Sequence, residues 1–189
     1  MESLTSGIQY RHWPVADAKA CVLLVHGLAE HTGRYHRLAA HFNSAGIAVV
    51  GPDHIGHGAS PGVRAHVRRF SDYLEPLTAL RERIKEWYPD KPVFLLGHSM
   101  GGLISAHALL VSQKSYHGAM FSGPAFTAVD PVSAPVIWIG RLLRYVFPKM
   151  GMLALNATEV SRDPAVVADY IADPLVYNGK ITTSLGLEI

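Results

Sequence analysis

The sequence holds a single cysteine, Cys21, among 189 residues. No intrachain disulfide can form, and its place at the head of the run Cys21-Val22-Leu23-Leu24-Val25 marks a buried, inert thiol rather than a reactive one. No excess of one charge exists: 17 basic and 15 acidic residues leave +2, with both signs scattered along the chain. That balance offers no surface for a polyanion, so nucleic acid is not an expected partner. No run of roughly 18 apolar residues is present, and no basic leader with an apolar stretch and cleavage site is legible at the start. The expectation is a soluble, cytoplasmic protein, with peripheral contact to membranes left open. Hydrophobic residues make up 49% of the chain, enough to bury a core as one domain or one domain with an insertion.

Short apolar runs alternate with helical stripes. Cys21–His26, Gly46–Asp53, Val93–Leu96 and Gly118–Ser122 each end in Gly, Pro, Asp, His or Ser or beside one, the pattern of buried parallel strands. Between them, Tyr35, Leu38, Ala39 and Phe42 follow helical spacing, as do Leu74, Leu77, Ile84 and Trp87, and a third helix is expected from Met100 to about Gln113. Strand-helix alternation with crossover-length connections predicts an α/β fold with a mainly parallel sheet covered on both faces. His26-Gly27, Asp53 and Ser99 fall at the carboxyl ends of strands, where such sheets gather their active groups. Beyond Gly123-Pro124 the pattern changes. Asp130–Pro148 is rich in Pro, Trp, Leu and Ile, and a helix from about Val136 to Tyr145 would bring Arg141 and Arg144 together against an apolar face. The remainder reads as short helical pieces broken at Asp163-Pro164 and Asp173-Pro174, with no further strand. The expected division is therefore a core over 1–129 and a cap over 130–189.

The densest chemistry lies in Val93-Phe94-Leu95-Leu96-Gly97-His98-Ser99-Met100-Gly101-Gly102, a strand running into a Gly-x-Ser-x-Gly turn. Such a strained strand-turn-helix exposes a serine hydroxyl at the top of a sheet, which makes Ser99 a candidate nucleophile. The oxyanion of a tetrahedral intermediate needs two fixed backbone donors, one after the nucleophile and one from the loop after the early strand, pointing to the amides of Met100 and Leu28. A serine of this kind also needs an acid and a histidine, which follow it in chain order in this architecture. Only His107 and His117 come after Ser99, and both come too soon. His26 and His98 read as hydrogen-bonded scaffold. His54 and His57 stand three apart, a spacing that can chelate, but with no cysteine or carboxylate cluster at matching spacing they read as part of a Gly-rich turn, and no metal site is expected.

Four motifs carry a resemblance. His26-Gly27-Leu28-Ala29-Glu30-His31-Thr32-Gly33-Arg34-Tyr35, Asp53-His54-Ile55-Gly56-His57-Gly58-Ala59-Ser60, Gly97-His98-Ser99-Met100-Gly101-Gly102 and Tyr170-Ile171-Ala172-Asp173-Pro174-Leu175-Val176 resemble, in this order, the monoacylglycerol lipase family of α/β hydrolases. The resemblance implies a serine esterase that cleaves monoacylglycerol to glycerol and fatty acid without cofactor or metal. It also implies a longer protein, in which strands after the cap carry the acid and the histidine. Glu30 and Arg34, four apart at the start of a helix, read from the residues alone as an exposed ion pair; the resemblance implies that they hold the polar end of the substrate pocket. Tyr170 reads either as cap packing or, by the resemblance, as a contact to the alcohol part of the substrate. The Trp138, Leu142, Leu143, Val146 and Phe147 side of the cap would accept the acyl chain or rest on a lipid surface.

Two readings follow. In one, the sequence is part of a lipase-like esterase whose acid and base come from a missing segment or a partner, with lysophospholipase or general carboxylesterase activity as the alternative specificity. In the other, it is a non-catalytic lipid-binding remnant of the fold. The sheet edge left where later strands would pair favours the first, because an open edge invites self-association. Epoxide and haloalkane hydrolysis are not expected, because the α/β hydrolases that perform them use an aspartate where this chain has Ser99.

Overall fold

The run Ala20–Val25 (β3) is buried at all six positions, and alternate side chains serve two different cores. Val22 and Leu24 face Ala39, Val49 and Leu96, whereas Cys21, Leu23 and Val25 join Leu77, Leu80, Ile84, Met100 and Ile104. A strand that packs on both faces needs helices on both sides, and the chain supplies them. In the computed structural model, which describes residues 1–126, 134–154 and 156–189, His36–Ser44 (α1) covers one face. Leu74–Trp87 (α2) and Met100–Ser112 (α3) cover the other.

β3 pairs in parallel with Ile47–Pro52 (β4) on one side and with Val93–His98 (β5) on the other, and β5 pairs in parallel with Gly118–Ser122 (β6). These are the four strands expected from the sequence. Two more complete the six-stranded sheet: Gln9–Trp13 (β2) runs antiparallel to β4, and Glu2–Ser3 (β1) runs antiparallel to β2, giving the order β1-β2-β4-β3-β5-β6. The fold is that of an α/β hydrolase, with a mostly parallel sheet flanked by helices. Cys21 is buried, and burial pushes its thiol up to about 12, which leaves it protonated and inert.

Ala134–Val146 (α4) matches the helix expected from about Val136 to Tyr145, while the boundary expected at residues 129–130 lies outside the described residues. Trp138, Leu142, Val146 and Phe147 of this segment are exposed and Leu143 is half-buried. The two arginines part company. Arg144 donates to the Arg68 carbonyl at 2.7 Å and pairs with Glu188, whereas Arg141 is exposed.

The expectation of no further strand is corrected. Gly151–Ala154 (β7) and Lys180–Thr182 (β8) form a two-stranded antiparallel sheet. Strands of four and three residues are too short to declare a period. Pro164–Ala172 (α5) lies between them, with Asp163 capping its N-terminus through Ala165 N–H. After β8, Thr183–Glu188 (α6) sets Leu185 into the main core, and Ser184 Oγ donates to the Val67 carbonyl at 2.6 Å.

Candidate functional site

β5 ends in a backbone that only a special turn can make. Ser99 sits between β5 and α3 with φ 51° and ψ −121°, in the left-handed region where a side chain costs on the order of 1–3 kcal/mol. The flanking glycines make the turn possible. A Cβ on Gly97 would meet Gly101 O and Ser105 Oγ at 2.5 Å, and one on Gly101 would land on the Val25 and His26 carbonyls. The Ser99 amide donates to Ser122 O at 3.0 Å, while its carbonyl accepts from Gly102 and Ala125. The residue is held by β6, by the segment that follows it and by the first turn of α3.

The loop after β3 closes over this serine. A Cβ on Gly27 would come within 3.2 Å of Ser99 Cβ, so glycine is what lets the loop pass. The Gly27 amide donates to Glu30 Oε1 at 2.6 Å, and Tyr35 Oη donates to the same oxygen at 2.6 Å. Glu30 is thus a buried acceptor that ties the loop into a fixed curl, which corrects the reading of an exposed ion pair. Arg34 Nε lies 3.5 Å from Glu30 Oε2, and its guanidinium sits 4.5 Å above the Tyr170 ring. Tyr170, from α5, is buried, and burial together with Glu30 raises its phenol. A cavity of about 410 Å³ brings Gly27, Leu28, Glu30, Arg34, Ser99 and Tyr170 together. Met100 opens α3 directly after Ser99, and neither its amide nor that of Leu28 has an acceptor among the described residues.

Sequence reasoning missed three braces on this loop. Ala29 adopts φ 65° and its carbonyl accepts from the Tyr177 amide at 2.8 Å. His31 Nε2 lies 2.9 Å from Asp173 Oδ2; partial burial pushes the Asp173 carboxyl up, but the His31 hydrogen bond and the Leu175 amide bring it below the usual range. Tyr35 is the third. The partners of His31 stand 142 positions away, and no local spacing could announce them.

The histidines are otherwise engaged. His26 Nδ1 donates to Gly27 O, its Nε2 accepts from the His54 amide at 3.0 Å, and His54 Nε2 donates to His26 O. His57 Nδ1 donates to Ile55 O. Burial is the main cause that lowers all three rings, His54 to about 3 and His57, despite the nearby Asp53, to about 4, so they stay neutral. Asp53 accepts from Thr32 N–H at 2.9 Å, Thr32 Oγ1 at 2.5 Å and Ala59 N–H at 3.0 Å. It clasps the loops after β3 and β4 and does not line the Ser99 cavity. His98 Nδ1 donates to Ser122 O at 2.9 Å, His117 Nδ1 accepts from Val93 N–H, and His107 stacks on Phe70. Among the described residues no imidazole or carboxylate is hydrogen-bonded to the Ser99 hydroxyl.

A serine raised on a strained elbow beneath a glycine-opened loop has counterparts among known proteins. The profile of the family described as serine aminopeptidase, S33 matches residues 16–189. The chain belongs to this family of α/β hydrolases. It is 40% identical over 180 residues to a monoacylglycerol lipase of Mycolicibacterium smegmatis, covering 94% of this chain and 64% of that protein. It is 33% identical over 182 residues to monoglyceride lipase of Rattus norvegicus, covering 95% and 60%. The crystal structure of Paleococcus ferrophilus monoacylglycerol lipase superposes with a TM-score of 0.83 at 30% identity, covering 96% of this chain and 68% of that one. The resemblance carried by the four motifs is confirmed, and by family the protein is a serine hydrolase of the lipase and esterase type. The chain spans about two thirds or less of the length of these relatives.

Proposed function

We propose that the protein is a carboxylic-ester hydrolase acting on monoacylglycerol, with Ser99 as nucleophile. The observation that carries this reading is the left-handed Ser99 backbone in one cavity with Leu28, Glu30, Arg34 and Tyr170. Ser99 Oγ attacks the ester carbonyl, the amides of Leu28 and Met100 receive the oxyanion, glycerol leaves, and water releases the fatty acid. Glu30 serves by fixing the Gly27 curl, so that the Leu28 amide is aimed before substrate arrives. Arg34 and Tyr170 close the polar end of the cavity on the glycerol side.

A base is still required. The outer edge of β6 pairs with nothing among the described residues, and Met120 and Phe121 on that strand are exposed, as are Leu110 and Val111 of α3. An additional strand pairing there would stand beside the Ser99 elbow, and we assign the acid and histidine to a segment that docks on this edge. Unfilled, the same edge would drive self-association. Residues 130–189 act as the cap, with α4 offering Trp138, Leu142, Val146 and Phe147 to the acyl chain or to a lipid surface. No described helix is long and apolar enough to cross a membrane; we place the protein in the cytoplasm, with peripheral membrane contact through α4. Lysophospholipid is the second substrate class, favoured by 38% identity over 93 residues to Phospholipase YtpA of Bacillus subtilis.

The test is fatty-acid release from monoolein and from lysophosphatidylcholine by this chain fused to the C-terminal third of the Mycolicibacterium relative. Turnover of monoolein that disappears in Ser99→Ala supports the reading. A folded fusion that binds monoolein without turning it over supports a lipid-binding remnant instead.

A further inference from the structure

A second cavity, of about 540 Å³, lies on the other side of Arg34 from Ser99. It opens between the outer face of β2, the start of α1 and the cap helix α5, and the ester chemistry leaves it unused. Its charge is unusual. Arg11 of β2 and Arg37 of α1 reach it with no carboxylate partner among the described residues, and Arg11 Nε is buried without any hydrogen bond. Arg11 Nη2 would stand 3.1 Å from a Cβ on Gly33, so the guanidinium is pressed against the loop that also carries His31 and Arg34.

The acids facing it do not neutralise these groups. Asp173 is already bound to His31, and Asp169 is exposed on α5. His36 accepts the Trp13 indole N–H on Nδ1 at 3.1 Å, which leaves its Nε2 to carry a proton as a further donor. Two guanidinium groups without a carboxylate partner on one cavity call for an anionic acceptor, and two planar forks with an added N–H donor match a tetrahedral dianion better than a carboxylate.

We propose that this cavity binds a phosphate group, with Arg11 and Arg37 as its principal ligands and Arg34 as the link to the Ser99 cavity. The site stands apart from the ester-hydrolase reading and would survive its failure. The phosphate could belong to a lipid headgroup, seated while the ester enters the neighbouring cavity, or be free phosphate.

The experiment is calorimetric titration of the chain at pH 8 and low ionic strength with inorganic phosphate and, separately, glycerol 3-phosphate. Saturable one-to-one binding is expected, weakened at least tenfold in Arg11→Gln and in Arg37→Gln and unchanged in Arg141→Gln, an exposed arginine on the cap. Tighter binding of glycerol 3-phosphate identifies the headgroup as the source, and equal binding identifies free phosphate. Arg37 is exposed, so its variant decides the matter if Arg11→Gln fails to fold. Absence of saturable binding, or equal affinity in wild type and in folded Arg37→Gln, would overturn the proposal.

Discussion

At the scale of single residues, the site is built from positions where a side chain has no room. Replacing Gly101 by alanine drives a methyl group into the carbonyls that end β3, backbone that cannot swing aside. We expect Gly101→Ala to lose about 3 kcal/mol of stability in urea unfolding. Gly123 is the contrast: it has φ 50° and open space around the position a Cβ would take. Gly123→Ala should lose only about 1 kcal/mol, the cost of the left-handed backbone alone. Ser99, Gly97 and Gly101 are legible because the chemistry and the steric demand fall within five consecutive residues. The role of Glu30 is only half legible: its spacing to Arg34 announces an ion pair, whereas its use as acceptor for Gly27 and Tyr35 depends on a loop curl that no spacing encodes.

At the scale of elements, the β3–α1 loop is held on one side by Glu30 and on the other by Asp173 and Tyr177. Glu30→Ala leaves the Gly27 amide and the Tyr35 hydroxyl without their acceptor and should cost about 2 kcal/mol. Glu30→Gln keeps an acceptor and should recover most of that loss, read by the same unfolding experiment. The four parallel strands of the core are legible because burial on both faces makes them continuous apolar runs. β2 hides in Gln9-Tyr10-Arg11-His12-Trp13, where only Tyr10 is fully buried, as befits a strand near the sheet edge. β7 and β8 escape because their pairing is made over a distance of nearly thirty residues by segments too short to show alternation.

At the scale of the whole molecule, three neutral histidines buried beneath the active loops link folding to pH. His54 at about 3 and His57 at about 4 lie well below the ordinary imidazole value of 6.5, with burial as the main cause, and His26 is lowered in the same direction. The unfolded chain therefore binds protons that the folded chain refuses. Stability should be level above about pH 7 and fall as the pH drops below 6.5, continuing down to the folded values. At pH 5 each of His54 and His57 should cost about 2 kcal/mol, from 1.5 pH units at about 1.4 kcal/mol per unit. Urea midpoints taken from pH 8 to pH 4.5 would show this slope. A His57→Phe variant should be visibly less sensitive to acid, and an unchanged slope would show that other groups carry it.

We propose that these residues form the nucleophile elbow and oxyanion cradle of a serine hydrolase; among the described residues no base reaches Ser99. The most direct test is the rate of fluorophosphonate labelling, followed by intact mass, for the folded 189-residue chain, its Ser99→Ala variant and the fusion carrying the relative's C-terminal third. Labelling of the fusion at Ser99 is expected to be at least a thousandfold faster than that of the chain alone, as when a triad regains its base. Equally rapid labelling of the chain alone, abolished by Ser99→Ala, would contradict the proposal, because a base would then lie within the 189 residues.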